Sequence, residues 1–296
     1  MDFGRLLTAM VTPFNDQLQI DWDKTAKLVD YLIEEQKSEG LVVSGTTGES
    51  PTLTDEEKLE LFRFVVKQAR GRAKIIAGTG TYDTAHSIHL TEEAEKAGVD
   101  GIMLVAPYYS RPSQSGLIAH FRAIAEKTRL PILIYNIPSR TGTNIEANTT
   151  LELAKVPNIV AVKESSGDLD QMSAIIASAP EGFRLYSGDD SVTLPVLSIG
   201  GHGIVSVTSH IIGRQMKEMI DAFLAGRNAE AAQMHAKLLP VFKGIFFCPH
   251  RVPNPVPVKY AVKVMGLDCG DVRLPLVNVT NEEKAFIEKL VAPYKS

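Results

Sequence analysis

The sequence predicts an α/β fold, a (β/α)8 TIM barrel followed by a C-terminal helical appendage, and three observations carry that expectation. About eight short apolar runs rich in Val, Ile and Leu precede residue 225. Polar and apolar residues recur at helical period between them. No G-x-G-x-x-G follows the first run, where an open doubly wound sheet usually carries its glycine fingerprint. Near-continuous apolar strands separated by helices belong to a parallel sheet covered by helices, and eight such units favour closure into a barrel.

Taken in order, the expected strands are residues 6–11, 41–44, 74–77, 101–105, 132–135, 159–163, 184–187 and 203–207. The helical stretches between them include 23–36, 55–69, 84–97, 115–127 and 168–179. The first strand runs out at Val11-Thr12-Pro13-Phe14 and the second at Gly45-Thr46-Thr47-Gly48-Glu49-Ser50. The fourth closes in Pro107-Tyr108-Tyr109, the fifth in Tyr135-Asn136-Ile137-Pro138-Ser139-Arg140-Thr141-Gly142, and the sixth in Lys163. After Gly226 the alternation stops, and helical stretches 229–242, 257–265 and 281–291 are separated by Pro-rich and Gly-containing turns. Two units are therefore expected: residues 1–225, the barrel carrying the active site, and residues 226–296, a helical region packed on the barrel or on a partner chain.

Length alone does not choose this organisation, since 296 residues accommodate one barrel and an appendage as well as two ordinary domains. Composition excludes more. The formal net charge is −4 and no basic block occurs, so nucleic-acid binding is ruled out as the main function. The apolar runs are strand-sized, none approaches the roughly 20 residues that cross a bilayer, and the N-terminal residues lack a signal-peptide pattern. A soluble, cytoplasmic protein with no membrane partner is the expectation. Cys248 and Cys269 stand far apart in no ligand spacing, so neither a disulfide framework nor a zinc site is suggested. His86 and His89 are three apart on an expected helix, but no third ligand accompanies them; no metal and no cofactor are expected.

In a barrel of this kind chemistry sits at the C-terminal ends of the strands. Lys163 closes the apolar run 158–162 and is followed at once by Glu164-Ser165-Ser166-Gly167. A lysine half withdrawn from water loses solvation of its charge, so the neutral, nucleophilic form that imine chemistry requires becomes accessible. By itself such a lysine more often snorkels to solvent. Likewise, a Gly-Thr-Thr-Gly turn alone is a common turn, a tyrosine ending a strand is usually a packing residue, and Arg140 alone would pair with a surface acid. Glu49 is expected to orient backbone groups of its own turn. The conjunction is what matters: a lysine, a phenol, hydroxyls and a carboxylate-binding arginine are the parts a 2-oxo-acid aldolase needs.

The chain resembles the dihydrodipicolinate synthase and N-acetylneuraminate lyase family of class I aldolases from its first strand to Arg273-Leu274-Pro275-Leu276. Besides the strand ends quoted above, the resemblance is carried by Ala77-Gly78-Thr79-Gly80, Val162-Lys163-Glu164, Ser187-Gly188-Asp189-Asp190, residues 201–207 and Asn254-Pro255-Val256-Pro257-Val258-Lys259. It implies that Lys163 forms a Schiff base with pyruvate, whose enamine attacks the aldehyde of L-aspartate 4-semialdehyde. By the same resemblance Tyr135 is the proton donor and acceptor, and Thr46 with Tyr109 is the relay between that phenol and water. A phenol is a poor base near neutral pH, so a hydroxyl chain that stabilises its charge in passing makes physical sense. Thr47 and Val205 fall at pyruvate-binding positions, and Arg140 at the one that holds the aldehyde substrate's carboxylate, a bidentate task suited to a planar fork. The family's second tyrosine reaches a neighbouring subunit's site, which implies a homotetramer built of tight dimers.

At the position of a lysine-feedback site, Tyr108, Ser50 and Pro51 fit the sensitive pattern. Asp55 and Lys58 replace two histidines there, and His86 stands where a glutamate would meet the inhibitor's ammonium, so weak or absent lysine inhibition is expected. Competing readings are another pyruvate-dependent aldolase, such as a neuraminate lyase or a sugar-acid aldolase, and a non-catalytic relative that keeps the barrel for binding.

Overall fold

The computed structural model describes residues 2–295; Met1 and Ser296, the outermost residues of the two expected units, lie outside the described residues. Eight parallel strands, β1 (Leu6–Ala9), β2 (Gly40–Val43), β3 (Lys74–Gly78), β4 (Gly101–Val105), β5 (Ile132–Asn136), β6 (Ile159–Glu164), β7 (Arg184–Ser187) and β8 (Gly203–Ser206), form a closed barrel in which β8 pairs back to β1. Around it run α1 (Trp22–Glu34), α2 (Asp55–Ala69), α3 (Thr84–Lys96), α4 (Gln114–Ala125), the single turn α5 (Pro138–Thr141), α6 (Ala147–Leu153), α7 (Leu169–Ser178), α8 (Thr193–Ser198) and α9 (Ser209–Leu224). Gly226, at φ +77°, turns the chain into α10 (Asn228–Gly244), followed by α11 (Val256–Val264) and α12 (Asn281–Val291).

Period-two alternation sorts each strand between two cores. Leu7, Val42, Ile76, Met103, Leu133 and Ala161 fill the barrel interior. Leu6, Leu41, Ile75, Ile102, Ile134 and Val162 face the helices, and the same buried cluster continues through Leu238, Val258 and Ile287 into α10, α11 and α12. Lys163, two positions after Ala161, therefore falls on the interior face. Local signals start the helices as well: Thr54 and Glu57 form a capping box that opens α2, and Thr280 and Glu283 form one that opens α12, an arrangement that satisfies orphan N–H groups and contributes about 1 kcal/mol.

β3, β5 and β6 each run one residue beyond expectation, and three strands end early, each for a visible reason. β1 stops at Ala9 instead of Val11, because the Val11 N–H donates to His210 Nε2 rather than to a ladder. β2 stops at Val43, because Ser44 has φ +58° and cannot continue an extended strand. β8 stops at Ser206, because the Val207 N–H is taken by the Asp190 carboxylate. The helices after β5, β7 and β8 are additions to the expected list. α6 and α8 span only seven and six residues, too short to show a period, and α9 opens on the buried polar pair Ser209 and His210.

Candidate active site

β5 and β6 pair Tyr135 with Lys163 and Asn136 with Glu164. Phenol and amine thus share the inward face of the barrel, and Asn136 and Glu164 the outward one. Lys163 Nζ lies 4.0 Å from the centroid of the Tyr135 ring, and both residues are buried. Among the described residues no carboxylate lies within ion-pairing distance of Lys163 Nζ. Gly188 makes room for the lysine: a Cβ there would fall 2.9 Å from Lys163 Cε and 1.9 Å from Ser165 Oγ.

The turn after β2 supplies the hydroxyls. The N–H groups of Gly48 and Ser50 donate to the Gly45 carbonyl, and that of Glu49 to the Thr46 carbonyl. Thr12 Oγ1 donates to the Gly48 carbonyl at 2.7 Å from the end of β1. Thr47 is buried, and its Oγ1 accepts from Asn254 Nδ2 at 2.9 Å. With one lone pair so occupied, the hydroxyl proton is free to be donated to a ligand. A cavity of about 220 Å³ is lined by Thr46, Tyr108, Tyr135, Arg140 and neighbouring residues. A larger one, about 640 Å³, also has Arg140 in its wall, together with Ser165, Asp189 and Asn254. An exposed guanidinium at the junction of two cavities can engage a carboxylate entering from either.

Thr46, Tyr135 and Arg140 are thus brought to one cavity, with Lys163 against the Tyr135 ring and Thr47 behind the turn. Val205 is buried in the barrel interior, in register with Leu7. Tyr109 is the exception: it is 96 % exposed at φ +73° and lines neither cavity. Its neighbour Tyr108 lines the smaller one and packs edge-on against Tyr82, ring centroids 5.4 Å apart. At the feedback position His86 Nε2 lies 2.8 Å from Asp55 Oδ2, and Lys58 Nζ lies 3.6 Å from Asp55 Oδ1.

Several residues that support this site were not legible beforehand. Contrary to expectation, the Glu49 carboxylate accepts no hydrogen bond from backbone groups of its own turn; it accepts from Lys259 Nζ at 2.8 Å and from the Arg273 N–H at 2.9 Å. The signal for Lys259 was a cation directly after the apolar run Val256-Pro257-Val258 that opens α11. Glu164, outside the barrel, accepts from Asn136 Nδ2 at 3.0 Å, Gln171 Nε2 at 3.0 Å and the Ser166 N–H at 2.8 Å. Burial raises its pKa against the pull of those hydrogen bonds. Asp190 accepts from Ser206 Oγ at 2.5 Å and from the N–H groups of Val207 and Thr208. Burial pushes its pKa up to about 6, although these donors oppose the shift.

Comparison with known proteins agrees with this architecture. The profile of the Dihydrodipicolinate synthetase family matches residues 2–293. A 4-hydroxy-tetrahydrodipicolinate synthase of Moorella thermoacetica is 57 % identical over 295 residues, covering 100 % of this chain and 98 % of its own. Among solved structures, a dihydrodipicolinate synthase of Bacillus anthracis superposes with a TM-score of 0.95 at 48 % identity, covering 99 % of this chain and 98 % of its own. The enzyme of Cyanidioschyzon merolae, solved with lysine bound, superposes with a TM-score of 0.94 at 42 % identity, covering 98 % and 97 %. With a profile that spans nearly the whole chain, relatives of this identity and the same closed barrel, the chain belongs to the dihydrodipicolinate synthetase family.

Proposed function

We propose that the chain is a lyase that condenses pyruvate with L-aspartate 4-semialdehyde to give 4-hydroxy-tetrahydrodipicolinate, a step of diaminopimelate and lysine biosynthesis. The observation that carries the reading is the register of β5 and β6, which sets an inward lysine against an inward phenol beside a cavity walled by Thr46 and Arg140. Lys163 Nζ attacks the pyruvate carbonyl carbon and water leaves, giving an imine. Loss of a methyl proton converts the imine to an enamine, whose terminal carbon attacks the aldehyde. The substrate's own amine then displaces Lys163 from the imine carbon, closing the ring and freeing the enzyme.

Tyr135 passes the protons and Thr46 connects it toward water. Thr47, its lone pair held by Asn254, donates to the pyruvate carboxylate, which also meets the backbone at Val205. Arg140 takes the carboxylate of the semialdehyde. The exposure of Tyr109 supports an assembly in which it completes the relay of a second copy, within a homotetramer of tight dimers. The barrel, 1–225, carries the chemistry, 226–296 braces it, and a cytoplasmic location suits a biosynthetic step on soluble metabolites. Lysine inhibition is weak: Lys58 and His86 both occupy Asp55, so its carboxylate is already engaged where an ammonium would bind. Half-inhibition well below about 1 mM would contradict this.

The test of the function is borohydride reduction in the presence of pyruvate, read by peptide mass spectrometry, beside assays with aspartate semialdehyde and N-acetylneuraminate. A reduced adduct on Lys163 with turnover of the semialdehyde alone is the expected outcome. An adduct without that turnover would reassign the chain to another pyruvate-dependent aldolase, and no adduct would remove Lys163 as the nucleophile.

A further inference from the structure

We propose that the C-terminal region shapes the active site through Glu49 and Lys259, a buried ion pair that positions the turn carrying Thr46 and Thr47. The inference rests on the roles given to those threonines above. Glu49 has φ +57°, the left-handed region that a glutamate occupies only when its surroundings hold it there. Its side chain is wholly enclosed, that of Lys259 is 3 % exposed, and their ion pair measures 2.8 Å. The second carboxylate oxygen accepts from the Arg273 N–H, so both oxygens are committed to the C-terminal region. Lys259 is itself fixed: its Nζ donates to the Asp271 carbonyl at 2.8 Å and lies 4.1 Å from the centroid of the Phe14 ring. Asn254, in the same segment, donates directly to Thr47 Oγ1.

Neither Glu49 nor Lys259 lines a cavity beside the site, so they act through the turn and not on substrate. A left-handed residue directly after Thr46-Thr47-Gly48 fixes the path by which the chain leaves the turn, and with it the directions of both hydroxyls. If Glu49 relaxes to an ordinary φ, the turn must rotate. Displacing a catalytic group by about 1 Å costs on the order of 100-fold in rate.

The test compares Lys259→Met with the double variant Glu49→Gln/Lys259→Met. The single change strands a buried carboxylate, whereas the double change removes the stranded charge and lets stability recover. The Lys259 tether to the turn is absent in both, while the Arg273 N–H and Asn254 links remain. The expected result is a loss of about ten- to hundredfold in kcat/KM for pyruvate in both variants, with a raised pyruvate KM and slower borohydride trapping at Lys163. The melting temperature of the double variant should return toward the parent value without any recovery of these kinetics. Recovery of stability and kinetics together in the double variant would make the pair merely structural and overturn the proposal, as would an unchanged pyruvate KM and trapping rate in either folded variant. Failure of the functional reading looks different, because the parent protein itself would then give no Lys163 adduct.

Discussion

Two turns at the mouth of the barrel are braced by buried carboxylates in opposite ways. The turn after β2 is held by Glu49, whose charge meets the ammonium of Lys259. The turn after β8 is held by Asp190, whose oxygens meet only a hydroxyl and two backbone N–H groups. His210 completes that second turn: its Nδ1 lies 2.8 Å from the Val207 carbonyl, and its Nε2 accepts from the Val11 N–H at 3.2 Å. A brace made with a cation depends on a partner distant in the chain, whereas a brace made with neutral donors depends on the protonation state of the carboxylate. Burial pushes Asp190 up to about 6 and His210 down to about 4.

The largest expected effect breaks the first brace. Lys259→Met leaves Glu49 buried without its counter-charge, which should cost about 3–5 kcal/mol of stability in urea unfolding. Asp190→Asn should cost little or nothing at pH 7, because the amide keeps an oxygen for the two N–H donors and can donate to Ser206 Oγ. If Asp190→Asn proved as costly as Lys259→Met, the contrast between the turns would be false.

The next effect is one of pH and sharpens the second brace. Asp190 rises from 3.8 unfolded to about 6 folded. Between those values the native state holds a proton that the unfolded state has released, so its contribution is most favourable at low pH and declines by about 3 kcal/mol as pH rises through 6. His210 falls from 6.5 to about 4. Here the unfolded state holds the extra proton, so its contribution is full above 6.5 and is lost, again by about 3 kcal/mol, as pH drops toward 4. The two oppose each other across nearly the same window. Measured by urea unfolding from pH 4 to 7, Asp190→Asn should gain stability relative to the parent as pH rises, and His210→Gln should lose it. Parallel profiles for parent and variants would show that neither group titrates in that range.

The comparison also explains what could be read from the sequence. Lys163 and Tyr135 were legible because each closes an apolar run, and period-two alternation puts both on one face. The barrel was legible for the same reason, repeated at eight strands. Glu49 was misread because its partners, Lys259 and Arg273, lie more than 200 residues away, and no local pattern encodes such a contact. Asp190 ended β8 one residue early by capturing a ladder N–H, which no apolar periodicity announces. The role proposed for Tyr109 rests on family resemblance alone, since at 96 % exposure its side chain lines neither cavity.

A third buried carboxylate tests whether bracing matters when no turn is involved. Glu164 lies beside Lys163 in sequence but on the other face of β6, where Asn136 Nδ2 reaches both of its oxygens at 3.0 Å. Asn136 also donates to Asn144 Oδ1 at 2.7 Å and accepts from the Ile145 N–H at 2.9 Å, so this pair joins β5, β6 and the loop before α6. The Asn136–Glu164 pair is in register beside Tyr135–Lys163, which means that it fixes from behind the strand offset that sets amine against phenol in front. Glu164→Gln keeps the shape but turns one acceptor oxygen into a donor facing other donors, which should cost about 1–2 kcal/mol. Because both strands stay anchored by their ladders, the rate of Lys163 trapping by borohydride should fall only a few-fold. A loss as large as that expected for Lys259→Met would mean that strand register, and not turn shape, is the more sensitive control on this site.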